Sequence, residues 1–295
     1  MVMKDDAIKA YHERLIRVLH YIDAHLDDDL SVETLSGVAA FSKFHFHRQF
    51  SHLFGISVYA YVQAMRLKRA SYQLAFREDS VTDIALASGY DAPEAFSRAF
   101  KKHTGQLPSD FRKNPGFAAW QETYNPIQKL RSHHMQEQNY DGQVSVVDVP
   151  ETRIAVLTHR GDAALLGETL RKFIDWRKAV GLHPKNHATY TLLYNDPEKV
   201  APEDFRVDLC VATNADIAPN DMGIVPRVIP AGRCALLRQV GSDDGFASAI
   251  YYLYRNWLPQ SGEELRDFPL YCQRVTLYPD VPEHEMIKDI YLPLK

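Results

Sequence analysis

Over the first 113 residues, apolar positions recur every three to four places, which predicts almost continuous helix. Leu15, Val18, Leu19, Ile22 and Leu26 fall on one face. Ser31 and Ser80 then read as helix N-caps, each followed by Val and, four residues on, by Leu35 or Ile84; Asp83 adds a third-position carboxylate. Each start leads through a short turn into a second segment with a shared frame. One runs Phe46-His-Arg48-Gln-Phe50 to Gly55, the other Phe96-Ser-Arg98-Ala-Phe100 to Gly105, with matching residues 50 apart. The glycines suit helix C-termini. The unit helix, turn, helix is therefore present twice. Between the copies, Val58 to Phe76 is predicted as one long helix with Leu67, Ala70 and Leu74 on its buried stripe.

Residues 114–143 open on Asn114-Pro115-Gly116, end in a polar stretch through Gln136 to Asn139, and read as a linker. Beyond them strand patterns replace helical ones, and a second duplication appears at an offset of 80: Pro150-Glu-Thr-Arg153-Ile-Ala155 to Gly161 against Pro230-Ala-Gly-Arg233-Cys-Ala235 to Gly241. Each copy continues into a helix carrying Trp176 or Trp257. Two strand-like runs follow each helix, at 190–194 and 208–213, then at 271–278 and 288–294. The expected fold class is an all-α N-terminal domain (1–113) with two helix-turn-helix motifs joined by a linker helix, then an α+β domain (144–295). The latter is a pseudo-twofold, duplicated βαββ unit whose halves meet at a cleft suited to a small molecule.

Composition adds limits. The chain has 295 residues, 45% hydrophobic and 24% charged, ample for two cores. Its net charge of −4 excludes a polybasic protein, yet residues 38–115 carry eleven bases and six acids, a local +5. A basic centre between acidic flanks points to a polyanion-binding face. Three cysteines (Cys210, Cys234, Cys272) without CxxC spacing argue for reduced thiols and against a disulfide framework. The first residues carry charges where a signal peptide needs an apolar core, and no apolar run approaches the roughly 20 residues of a membrane span. A cytoplasmic protein without a membrane partner is expected. His45 and His47 are two apart on a helix and point to nearly opposite sides, so no metal and no cofactor is expected.

In each copy the Phe residues at i and i+4 anchor the second helix. Lys43, His45, His47 and Arg48 are left on other faces in the first copy; Glu94, Ala95, Ser97, Arg98, Lys101 and Lys102 are left in the second. An isolated surface Arg is usually just solvated, but a doubled frame offering Arg, His, Ser and Lys suits the major groove, where Arg grips guanine and Lys reaches phosphate.

These residues carry a resemblance. Phe41-Ser42-Lys43-Phe44, Arg66-Leu67-Lys-Arg-Ala70, Ile84-Ala85, Gly89-Tyr90, Phe96-Ser-Arg98-Ala-Phe100-Lys101-Lys102 and Gly105-Gln-Leu-Pro108-Ser-Asp-Phe111-Arg112 together resemble the AraC/XylS DNA-binding domain. The resemblance implies recognition helices at Ser42 to Phe54 and Ala92 to His103. Its base-facing candidates are Phe44, His47 and Arg48, then Pro93, Glu94, Ala95, Ser97 and Arg98. Phosphate contacts are expected from Lys43, Lys101, Lys102 and Arg112.

In the second half, Asn195-Asp196-Pro197, Ile229-Pro230-Ala231-Gly232-Arg233, Asn256-Trp257-Leu258-Pro259 and Asp289-Ile290-Tyr291-Leu292-Pro293 resemble the GyrI-like effector-binding domain. That family commonly places a buried Glu where this chain has Cys272. Tyr194, Tyr251, Tyr254, Trp257 and Tyr271 read as an aromatic wall beside Cys272. The resemblances imply a transcription regulator whose partners are double-stranded DNA and a small-molecule effector. Alternatives for the second domain are docking on RNA polymerase or another protein, or a hydrolase. The chain shows no G-x-S-x-G and no HExxH, so no enzyme is expected.

Overall fold

A computed structural model describes residues 2–134 and 140–295. The chain divides into two compact units, residues 1–137 with 282–284, and 138–281 with 285–295. No helix among the described residues is long and apolar enough to cross a membrane.

The first unit is helical: α1 (Val2–Ala24), α2 (Val32–Val38), α3 (Lys43–Phe54), α4 (Val58–Phe76), α5 (Val81–Ala87), α6 (Pro93–Thr104), α7 (Pro108–Lys113) and α8 (Phe117–His134). The duplicated caps are present. The Ser31 hydroxyl accepts from the Thr34 amide at 3.2 Å and Ser80 from the Asp83 amide at 3.0 Å. Gly55 and Gly105 close α3 and α6 at φ 69° and 79°, which a side chain would strain. The helix-turn-helix turns need a left-handed residue too, supplied by Ala40 in one copy and Gly89 in the other.

α4 serves two cores. Tyr61, Val62, Ala64 and Met65 pack with α1 to α3, whereas Leu67, Ala70 and Leu74 pack with Ile84, Phe96, Phe100 and Phe111. Two arginines on α4 tie loops to it. Arg66 donates to the carbonyls of Leu26 and Asp28 at 2.9 and 2.8 Å. Arg69 forks onto the Asp27 carboxylate at 3.0 and 2.6 Å and donates to the Ala87 carbonyl at 2.6 Å, so one side chain holds both repeats.

The stretch expected as a linker is largely α8, with residues 135–139 outside the described residues. The helix packs into the first unit. The Tyr124 hydroxyl, fully buried, donates to the Ala64 carbonyl at 2.7 Å, and Arg131 forms a buried pair with Asp23.

The second unit is one eight-stranded antiparallel sheet with helices. Its elements are β1 (Val144–Val149), β2 (Thr152–Arg160), α9 (Leu166–Ala179), β3 (Thr189–Leu193), β4 (Arg206–Ala212), β5 (Val225–Ile229), β6 (Gly232–Val240), α10 (Phe246–Tyr252), α11 (Leu258–Ser261), β7 (Leu270–Arg274) and β8 (Ile287–Pro293). A π-helical turn, Leu253–Trp257, joins α10 to α11. Strand order is β1-β6-β8-β7-β3-β4-β2-β5, a palindrome about the β7–β3 pair. Each βαββ repeat is thus present and is preceded by one further strand, which pairs with the other repeat: β1 with β6, β5 with β2.

Period-two alternation divides the side chains between two faces. On one, Phe173 and Trp176 of α9 cover Ala155, Leu157, Leu209 and Val211, and Ala249 of α10, with Leu253 of the π turn, covers Ala235, Leu237, Cys272 and Ile290. The other face gathers Ile154, Val156, Leu192, Cys210, Cys234 and Tyr271, and no helix contributes to that cluster. Val147 and Val149 of β1 pack into the same cluster as Ile229 of β5, although these strands are the two ends of the sheet. The sheet therefore curls toward its helix-free face.

Candidate nucleic-acid interface and ligand-binding face

On α3, Phe46, Phe50 and Phe54 are buried, which turns Lys43, Phe44, His45, His47 and Arg48 to solvent along with Ser42 at the N-cap. Phe44 is 78% exposed, too much for a residue serving the core. On α6, Phe96, Phe100 and Thr104 are buried; Glu94, Arg98, Lys101 and Lys102 are exposed, and Pro93, Ala95 and Ser97 are half-buried. The two helices thus present corresponding faces, each with an Arg two residues beyond its first anchoring Phe. Lys101 and Lys102 stand at the negative end of the α6 dipole.

Two expected phosphate contacts are already engaged. Lys43 pairs with Glu33 at 2.8 Å; their hydrogen bond and charges raise the ammonium and lower the carboxyl, and both groups remain exposed. Arg112 is half-buried and donates to the Asp79 carbonyl, which ties α7 to the loop before α5. That bond gives Arg112 a use within the fold. His103, in the last turn of α6, sits edge-on to Tyr124 with ring centroids 5.0 Å apart, and burial pulls its pKa down.

In the second unit the six expected ligand residues do not share one surface. Tyr271 lies on the helix-free face. Its ring stacks on Tyr291 at 4.9 Å and meets Tyr190 and Phe268 edge-on at 6.2 and 6.1 Å. Its hydroxyl lies 3.7 Å from the Cys234 sulfur, and burial pushes the phenol well above its usual pKa. Tyr194 belongs to the same face: its hydroxyl donates to Asp208 Oδ2 at 2.8 Å, and the Arg206 guanidinium lies 3.6 Å over its ring. Burial first, then Asp208, pushes the Tyr194 phenol to about 12.

Cys272 is one residue along from Tyr271 and therefore points the other way, buried beneath α10 with its thiol pushed up by desolvation. Tyr251, Tyr254 and Trp257 belong to α10 and the turn after it. The Tyr251 hydroxyl donates to Asp196, and Lys199 and Arg255 stand 4.3 and 4.6 Å over its ring, so this aromatic already holds two cations of the chain itself. Burial works to raise Asp196, but hydrogen bonds from Tyr251, the Glu198 amide and Lys199 outweigh it and lower the carboxyl. Tyr254 is exposed, and Trp257 packs partly buried against the α10 core. Tyr190, Tyr291, Phe268, Arg206 and Asp208 complete the aromatic face and are absent from the sequence-based set. The alternation Asp289-Ile-Tyr291 was the available signal for one of them.

A family described as the GyrI-like small molecule binding domain matches residues 142–295, and a helix-turn-helix domain matches residues 35–114. The chain is 36% identical over 152 residues to the probable transcriptional regulator YgiV of Escherichia coli (strain K12), covering 51% of this chain and 95% of that protein. It is 37% identical over 103 residues to the uncharacterized HTH-type transcriptional regulator YbfP of Bacillus subtilis (strain 168), 35% of each. It is 32% identical over 133 residues to the right origin-binding protein of Escherichia coli (strain K12), covering 45% of this chain and 44% of that one. The chain belongs to the GyrI-like small-molecule-binding family, with an AraC-type helix-turn-helix domain ahead of that domain.

Proposed function

We propose that this chain is a transcription regulator that reads double-stranded DNA with α3 and α6 and senses a small-molecule effector with its GyrI-like domain. The observation that carries it is the matched pair of helices whose buried phenylalanines turn Arg48 and Arg98 outward in the same frame. Arg48 and Arg98 grip guanine, and Phe44, His47, Glu94, Ala95 and Ser97 face neighbouring bases. Lys101 and Lys102 hold phosphates, and Lys43 joins them by exchanging Glu33 for phosphate. The effector acts through unequal affinity for DNA-competent and incompetent states. The protein works in the cytoplasm, with the DNA it binds.

Selection of genomic fragments by the full chain at physiological salt, followed by sequencing, tests the reading. Enrichment of one motif with two boxes about one helical turn, roughly 34 Å, apart is expected. Uniform retention overturns sequence-specific reading, and no retention overturns DNA binding. Thermal stabilisation of the full chain across a panel of small molecules tests the effector half.

A further inference from the structure

The helix-free face carries more charge than an aromatic pocket needs, and its charges do not cancel. Asp208 on β4 is fully buried, and its Oδ2 accepts from Tyr194 while facing Arg206 at 3.3 Å and Arg227 at 3.7 Å. One carboxylate therefore serves two guanidiniums. Arg206 leaves its Nε buried and without a hydrogen-bond partner among the described residues, as Asp208 leaves its Oδ1. From the other repeat, Arg266 donates through one nitrogen to the Ala231 carbonyl at 2.5 Å and also interacts with the Cys234 thiol. Arg238, further along, is matched by Asp289 in a fork at 2.7 and 2.7 Å. The surplus is positive. The Nε–H of Arg206 lacks an acceptor there, and a buried donor left unmade destabilises the fold.

We propose that this face binds an aromatic anion, its acidic group gripped by Arg206 and its rings lying against Tyr190 and Tyr291. Both tyrosines are half-buried on the inside of the curl and so remain reachable, unlike Tyr271 beneath them. Arg206 is pre-aligned: Tyr194 holds its plane at 3.6 Å and Asp208 meets Nη2 at 3.3 Å, which leaves Nε, itself buried, as the donor still without an acceptor. The free Asp208 Oδ1 does not call for a second cation, because two guanidiniums already balance that carboxylate; it accepts from a neutral hydroxyl or amide N–H on the same ligand. This inference rests on the reading of the domain as effector-binding and names the sign and shape of the effector.

The test titrates the full chain with two probes of matched rings and opposite charge, 2-naphthoate and (2-naphthylmethyl)trimethylammonium, followed by calorimetry. Naphthoate is expected to bind at least about tenfold more tightly than the cation, one charge-assisted contact's worth of discrimination. Arg206→Met keeps an apolar stem over Tyr194 and is expected to remove that preference, with Arg206→Lys restoring part of it; thermal unfolding of each variant checks that the fold is kept. Tight binding of the cation, or naphthoate binding unchanged in folded Arg206→Met, overturns the assignment and leaves effector binding standing. Binding of neither probe overturns it as well, and the small-molecule panel then decides separately whether the domain binds effectors.

Discussion

Arg131 and Asp23 face each other as a forked ion pair, 2.8 Å from Nη1 to Oδ1 and 2.7 Å from Nη2 to Oδ2, with both side chains almost wholly shielded from water. The pair fastens α8 to α1, and the Tyr61 hydroxyl adds a 2.5 Å contact to the same guanidinium. Removing Asp23 leaves the buried guanidinium with the longer 3.6 Å contact to Glu283, so Asp23→Ala is expected to cost about 3 kcal/mol in urea unfolding. The double substitution Asp23→Leu with Arg131→Met is expected to recover much of that loss. Equal losses in single and double variants would show that packing, and not charge, holds α8.

Ala40 and Gly89 occupy corresponding turns and both are left-handed, at φ 51° and 76°. An L side chain strains that conformation, so Ala40→Gly is expected to stabilise by about 0.5–1 kcal/mol after the flexibility gained by the unfolded chain is subtracted. Gly89→Ala should do the opposite and more, since its Cβ would lie 2.5 Å from Arg66 Nη1, a side chain held by the Leu26 and Asp28 carbonyls. Thermal unfolding of both variants checks the pair of signs.

Arg48→Ala and Arg98→Ala are each expected to weaken the selected site by about 1–3 kcal/mol and random DNA far less. The three lysine–phosphate contacts alone predict a log–log salt slope of about −3, nearly unchanged by Arg112→Ala because that side chain bonds within the fold. Titrations at several salt concentrations measure both quantities.

His103 supplies a pH dependence with a definite sign. Desolvation lowers its folded pKa below the unfolded value of 6.5, despite a helix C-terminus that favours the cation. The unfolded chain thus binds more protons in this window. Stability is full above the unfolded value, falls as pH drops through 6.5, and stops falling once the folded group also protonates. His20 acts in the same direction, burial being its largest cause. His103→Phe, which keeps the edge contact with Tyr124, is expected to shrink the stability difference between pH 7.5 and 5.5, measured by urea unfolding.

The helical repeat was legible because each of its parts has a local cause. Serines at 31 and 80 cap helices, phenylalanines four apart anchor them, and the expected span Val58–Phe76 is that of α4. α8 was hidden by Pro126 within it and by the Pro115-Gly116 step ahead of it, both ordinary loop signals. β1 and β5 escaped for another reason. They lie at the sheet's ends, where β1 fully buries no residue and β5 buries Ile229 alone and holds Pro226, so no buried apolar run marks them. For the ligand face, sequence proximity misled: Tyr271 and Cys272 are neighbours in the chain and lie on opposite sides of the sheet.

The exchange of first strands between repeats sets the order of events during synthesis. Val144 of β1 leaves the ribosome long before Leu237 of β6, the residue opposite it, has been made. The leading repeat is therefore born with a strand that its own sequence leaves unpaired, and its sheet is completed only when the trailing repeat arrives. A nascent chain stalled between the repeats carries a bare backbone edge that other chains can capture. A ribosome pausing in that interval, or a premature stop there, yields a sticky fragment and not a working half.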